Sequence, residues 1–176
     1  SGCTSLKEIT IPSSVTEIGA HAFDGCTALV KLQGLENVTN LSDFTFYNCI
    51  SLQDVGDLTS LTSIGESAFA GCKSLTQLGD MSHLKSIGNS AFANSWDDGT
   101  ERYYYCDSLK RIGDISNVEQ IGDLAFYYCE SLAEIGSLQH VITIGESAFL
   151  YCTSLEEIGS LGNIEKIGAG AFYSCK

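Results

Sequence analysis

The cysteines of this chain stand at Cys3, Cys26, Cys49, Cys72, Cys106, Cys129, Cys152 and Cys175. Successive steps are 23 residues, apart from one of 34, which is a single period plus eleven. A 23-residue unit cannot enclose a core by itself, so a chain written this way has to bury its apolar side chains between stacked copies. The wording between cysteines is nearly fixed: "IGESAFAGCKSL" at 64–75 returns as "IGESAFLYCTSL" at 144–155. Seven units follow from the spacing.

Within one unit the apolar residues Leu52, Val55, Leu58, Leu61 and Ile64 come every third residue, followed by Ala68-Phe69. Neither the 3.6-residue period of a helix nor the alternation of a strand gives that pattern. Short extended pieces joined by corners do, each sending one side chain inward. Gly65 and its equivalents Gly19, Gly88, Gly122, Gly145 and Gly168 mark one corner, where either a positive φ or a close backbone approach favours glycine. The following "ESAF" or "NSAF" reads as a short 3-10 or helical turn with polar residues at its start. Parallel strands about 4.8 Å apart would give seven rungs a length of about 34 Å.

The stretch "CTSLKEITIPSSVTEIGAHAFDGCTAL" at 3–29 resembles the leucine-rich repeat of the BspA-like, or Treponema pallidum, type. Its pattern is Leu-x-x-Ile-x-Ile-Pro-x-x-Val-x-x-Ile-Gly-x-x-Ala-Phe-x-x-Cys. Later units depart from Ile-Thr-Ile-Pro, as in Ile-Gly-Ser-Leu at 135–138 and 158–161, and the second unit has Leu41-Ser42 for Ile-Gly and Thr45-Phe46 for Ala-Phe. The resemblance implies a right-handed leucine-rich-repeat solenoid of seven 23-residue rungs. Parallel β-strands would line its inner face, with short strands and turns on the outer face. It also implies a surface or secreted bacterial protein, acting in adhesion to host matrix or host cells.

Residues 1–176 read as one solenoid with an insertion at 93–103. Both ends fall in mid-pattern, which is expected of a segment of a longer protein whose bare terminal rungs associate end to end. The chain carries 22 acidic against 9 basic residues, a net charge of −13, unsuited to a nucleic acid or an anionic membrane surface. No apolar run is long enough to enter a bilayer.

The cysteines form no Cys-x-x-Cys or Cys/His cluster, so the expectation is no metal and no cofactor, with small thiols packed behind each phenylalanine. Asp97, Asp98 and Glu101 lack the alternating ligands of a calcium loop. His21, His83 and His140 converge on no nucleophile, and the chain reads as non-enzymatic.

The candidate contacts are the insertion, a tyrosine ridge and the variable inner strand positions. They comprise Trp96, Asp97, Asp98, Arg102, Tyr103, Tyr104, Tyr105, Lys110, Arg111, Tyr127 and Tyr128, with a protein as the expected partner. Trp96 is the chain's one tryptophan, and exposed tryptophan and tyrosine are frequent interface anchors. The other reading of the insertion is a passive loop with Trp96 folded back on the solenoid. A carbohydrate-binding module and a plain structural spacer are the alternative functions.

Overall fold

The computed structural model describes residues 1–99 and 101–175. It is a parallel β-solenoid of about seven turns. Its continuous sheet has seven two-residue strands: Glu17–Ile18, Asn40–Leu41, Ser63–Ile64, Ser86–Ile87, Gln120–Ile121, Thr143–Ile144 and Lys166–Ile167. Every pairing in it is parallel and in register, Ile64 beside Ile87 and Ile121 beside Ile144. Register is strict because a slip of one residue would turn the buried isoleucine outward.

The strand positions assigned to the inner face form a second ladder, and that ladder is interrupted. Glu8–Thr10 pairs with Lys31–Gln33, which bridges to Asp54. It resumes with a bridge from Gln77 to Arg111, then Arg111–Ile112 beside Glu134–Ile135, and a bridge to Glu157. The unbroken sheet therefore lies at the Ile-Gly segment.

Glycine explains why rungs approach most evenly there. A Cβ on Gly145 would lie 2.4 Å from Asp123 N, and one on Gly168 2.4 Å from Glu146 N. None of these glycines has positive φ, so close approach is the reason for glycine at this corner. Where the second unit carries Ser42 instead, its N–H reaches the Ile18 carbonyl at 3.3 Å, against 2.8 Å for Gly65 to Leu41. One Cβ opens the ladder locally.

The expected helical turn after the glycine is absent: among the described residues there is no helix. Two residues on, the backbone is left-handed in every unit, at His21, Phe44, Ser67, Ser90, Leu124, Ser147 and Gly170. A left-handed residue ends any right-handed helical run and costs a non-glycine residue about 1–2 kcal/mol. The corner offsets this by bonding to the next rung, as Phe69 N donates to Ala91 O at 2.8 Å and Phe126 N to Ala148 O at 2.7 Å.

The corner's phenylalanines stack through the whole solenoid. Phe23, Phe46, Phe69, Phe92, Phe126, Phe149 and Phe172 follow one another at centroid distances of 5.0 to 5.4 Å. Such pairs add about 0.5–1.5 kcal/mol each beyond their burial. The 34-residue step leaves no trace in the stack, since Phe92 and Phe126 are 5.1 Å apart and 5° from parallel.

Beside the rings the thiols bond across rungs. Cys49 Sγ donates to Phe23 O at 3.1 Å, Cys106 to Phe69 O at 3.0 Å and Cys152 to Phe126 O at 3.1 Å. Cysteine suits the position because it is small, apolar and still a weak donor. All eight thiols are free, with Cys3 exposed, Cys175 half-buried and the six between them buried. Burial pushes Cys49 and Cys106 up from 9.0 to about 12, and Cys72 and Cys129 well above 9.0.

Two outcomes follow. Gly145→Ala should lower stability by on the order of 2 kcal/mol or more in urea unfolding, because the obstructing atoms are backbone. Gly19→Ala should be nearly silent, since nothing lies within 4 Å of that site. Stability should also fall as pH rises above about 9: the unfolded chain then releases thiol protons that Cys49 and Cys106 keep up to about 12. Each buried thiol adds a slope of about 1.4 kcal/mol per pH unit in that window. Urea midpoints measured between pH 8 and 11 check the sign, and a midpoint independent of pH contradicts it.

Candidate functional site

The inserted segment leaves the rung after Ala93, which stays buried and accepts the Gly71 N–H at 3.0 Å. It forms an antiparallel hairpin, Ser95–Asp97 against Arg102–Tyr104, with Trp96 opposite Tyr103 and Ser95 opposite Tyr104. The turn contains Gly99, whose N–H bonds to Asp97 Oδ1 at 2.9 Å, and Glu101 at φ 51°. Trp96 Nε1 donates to Asp98 Oδ1 at 2.6 Å. Asp97 and Asp98 thus serve the hairpin itself. Among the described residues no group of three His, Cys, Asp or Glu side chains is placed to hold a metal ion.

The hairpin lies against the solenoid. Trp96 N donates to Tyr47 Oη at 3.1 Å, and Asn48 Nδ2 donates to Trp96 O at 3.2 Å. Ser95 Oγ, buried, donates to Asn48 Oδ1. The backbone at Gly71 makes room for this contact, since a Cβ there would lie 1.8 Å from Ser95 Oγ. The backbone of the insertion therefore folds back on the solenoid while the Trp96 ring stays 41% exposed. Of the two sequence readings, the docked backbone comes from one and the presented ring from the other. Sequence reasoning missed the contacts of Tyr47, Asn48 and Ser95 because the partners lie 47 to 49 residues apart.

From the hairpin a line of aromatic rings runs across the following rungs. Trp96 meets Tyr103 at 4.8 Å, Tyr103 meets Tyr105 at 6.3 Å, and Tyr105 meets Tyr128 at 5.0 Å. Tyr128 meets Tyr151 at 4.5 Å and Tyr151 meets Tyr173 at 6.2 Å. Tyr127 stands edge-on to Tyr128 at 82°. Trp96, Tyr103 and Tyr173 are exposed, and Tyr104, Tyr105, Tyr127, Tyr128 and Tyr151 are half-buried. Desolvation raises the hydroxyl pKa of Tyr105, Tyr127 and Tyr128, helped by neighbouring tyrosines and, for Tyr105 and Tyr128, by Glu130. These hydroxyls stay protonated, and that of Tyr128 is engaged with Tyr151.

The structure unites Trp96, Tyr103, Tyr105, Tyr127 and Tyr128 in one strip, extended by Tyr151 and Tyr173. It places Lys110 and Arg111 elsewhere, with Arg111 in the interrupted ladder between Gln77 and Glu134. Arg111 lines an open groove of about 750 Å³ there with Glu134, Glu156 and Glu157. Arg102 is exposed in the hairpin, opposite Asp97. His83 and His140 each hold Nδ1 2.7 Å from a carbonyl of the preceding rung, Thr59 and Ser116, so both act as rung ties.

Stacked parallel rungs, a single interior and a presented strip define the class as a repeat scaffold. Residues 1–97 and 99–176 match the BspA type leucine rich repeat region, in six copies, and the chain belongs to that family. No curated protein matches the chain. Among solved structures it is similar to a leucine rich repeat protein of T. pallidum, at 30% identity and a TM-score of 0.74, covering 89% of this chain and 68% of that one. A leucine-rich repeat protein from Eubacterium ventriosum is 25% identical with a TM-score of 0.75, covering 99% of this chain and 44% of that one. A leucine rich cell surface protein from Faecalibacterium prausnitzii shares the fold, at 22% identity and a TM-score of 0.59, covering 96% of this chain and 45% of that one. This chain thus spans less than half the length of two of these relatives.

Removing the hairpin's anchor should free it without unfolding the rungs. Asn48→Gly, which keeps the left-handed backbone of that site (φ 58°), should speed amide exchange of Trp96 and Asp97 at least ~10-fold, the effect of losing about 1.4 kcal/mol of hydrogen bonding. Exchange of the strand amides of Ile64 and Ile121 should stay as it was. Unchanged hairpin exchange would show that the docking bonds do not hold it.

Proposed function

We propose that this chain is a non-enzymatic, protein-binding segment of a bacterial surface or secreted adhesin. The observation that carries the reading is the aromatic strip from Trp96 through Tyr103, Tyr105, Tyr128 and Tyr151 to Tyr173. A solenoid interior is consumed by rung packing, so what distinguishes one repeat protein from another is the surface it presents. Here the hairpin adds two exposed aromatic rings to that surface and aligns them with the tyrosines. Tyrosine and tryptophan give much contact area for little loss of side-chain freedom, the usual make-up of binding hot spots. The buried thiols, held protonated by desolvation, support a packing role for the cysteines rather than a chemical one. Surface placement and adhesion rest on the BspA-type family membership.

The test is surface-plasmon resonance against purified extracellular-matrix and host-cell surface proteins, with the intact chain and with a Trp96→Ala/Tyr103→Ala double variant. At least one partner should bind, and the double variant should weaken it ~10-fold or more, as loss of a hot spot does. Binding that ignores the double variant would move the site off the strip. No binding to any of them would favour the spacer.

A further inference from the structure

The strip has a period as well as a composition. Tyr105, Tyr128 and Tyr151 occupy the same place in three successive rungs, separated by 5.0 and 4.5 Å. Those two steps together come close to one turn of a polyproline II helix, about 9.3 Å from three residues at 3.1 Å each. A ligand of that period would meet the same chemistry on every turn. A strand, rising about 3.3 Å with side chains alternating every second residue, would drift out of step.

The ring geometry discriminates further. Successive rings are tilted by 43° and 39°, and Tyr127 stands at 82° to Tyr128. This makes a corrugated surface of ring edges and half-open faces, whereas stacking against sugar rings calls for a flat exposed face. Gaps of 4.5 to 5.0 Å are too narrow for a ring to slot between two others, so a ligand must lie across the ridges. The backbone carbonyls of a polyproline II segment have no internal partners and accept hydrogen bonds readily. The Tyr105 hydroxyl, kept protonated by desolvation, can donate to them.

Charge completes the description. Glu130 acts electrostatically on both Tyr105 and Tyr128, so a carboxylate borders the middle of the strip. The chain as a whole carries −13. A basic segment is drawn to this surface, and an acidic one is repelled.

We propose that the strip formed by Tyr105, Tyr127, Tyr128 and Tyr151 binds a proline-rich, basic segment of a partner protein in the polyproline II conformation. The assignment rests on the protein-binding reading above and specifies its ligand. The segment lies along the solenoid axis, with proline rings on the tyrosine edges and a Lys or Arg toward Glu130. Being extended before it binds, it gives up little conformational freedom on docking. Trp96 and Tyr103 continue the track at the hairpin end.

Fluorescence anisotropy with a labelled fifteen-residue peptide of repeating Pro-Pro-Lys, on the order of five polyproline turns, tests the assignment. Comparison peptides replace every proline by glycine or every lysine by glutamate. The Pro-Pro-Lys peptide should bind at least ~10-fold more tightly than either, a margin of about 1.4 kcal/mol. Tyr128→Asn and Tyr151→Asn should each weaken it ~10-fold; asparagine tolerates the left-handed backbone at these sites (φ 60° and 63°), so the rung is kept. Glu130→Gln should weaken the lysine peptide while leaving a Pro-Pro-Gln peptide unchanged. Circular dichroism of each variant, matching the parent, separates lost contact from lost fold.

Equal binding of the glycine and proline peptides overturns the assignment, as does binding that ignores Tyr128→Asn and Tyr151→Asn. A glycan that binds with the same strip dependence, while the peptide does not, overturns it in favour of a carbohydrate. If the peptide fails but matrix-protein binding still falls in the Trp96→Ala/Tyr103→Ala variant, the polyproline assignment alone is lost. If both fail, the protein-binding reading is lost with it.

Discussion

Every rung must present to the next the same cross-section it receives from the one before. The phenylalanine stack expresses that constraint most plainly: seven rings at 5.0 to 5.4 Å leave no room for a rung of different depth. Gly65, Gly88, Gly122, Gly145 and Gly168 serve the same end, since a side chain there would meet the neighbouring backbone. Thiols fill the space beside the rings and tie each rung to the preceding phenylalanine carbonyl. Burial of each ring is worth about 1.5–3 kcal/mol against exposure. The larger effect is cooperative, because a disturbed rung loses both neighbours.

That constraint governs the interior and leaves the outside free. An eleven-residue excursion can be carried between Phe92 and Phe126 without displacing either ring, because the chain exits and returns at the surface end of the corner. Once outside, the excursion is not a free loop. Its backbone is held by Tyr47 and Asn48, two rungs back, and its aromatic pair then extends the tyrosines that lie ahead. The hairpin thereby joins two separate parts of the surface into one track, which is the property the binding proposals use. Their acidic setting, with Glu130 beside the central tyrosines, sets the sign of the partner.

Much of this was legible in the sequence. The cysteine step located the rungs, and the three-residue spacing identified the inward side chains: Leu52, Val55, Leu58, Leu61 and Ile64 are all buried, while their last-rung equivalents Ile158, Leu161 and Ile164 are partly covered and Ile167 is exposed. Tyr105, Tyr128 and Tyr151 could be seen to align from their place in the repeat. Other features left no sequence signal. The left-handed corner is occupied by His21, Phe44, Ser67 and Leu124 alike; no shared residue type marks it, because the stacked neighbours impose the conformation. For that reason "ESAF" looked helical and is a chain of turns. Arg111 reads in the sequence as an inner strand position, a candidate separate from the tyrosines, and it lies in the interrupted ladder.

The sequence by itself determined the architecture: number of rungs, their registration, the residues inside and the point where extra chain is carried. It could do so because repetition at fixed spacing has one economical solution, stacking, in which the same residue types meet at every step. Only the tertiary structure decided which of the two ladders runs unbroken, which of two reasons demands glycine at the corner, and where the hairpin comes to rest. Those outcomes depend on contacts between residues 47 to 49 positions apart and on backbones so close that a Cβ would lie 2.4 to 2.7 Å from the next rung. No local pattern of letters encodes either.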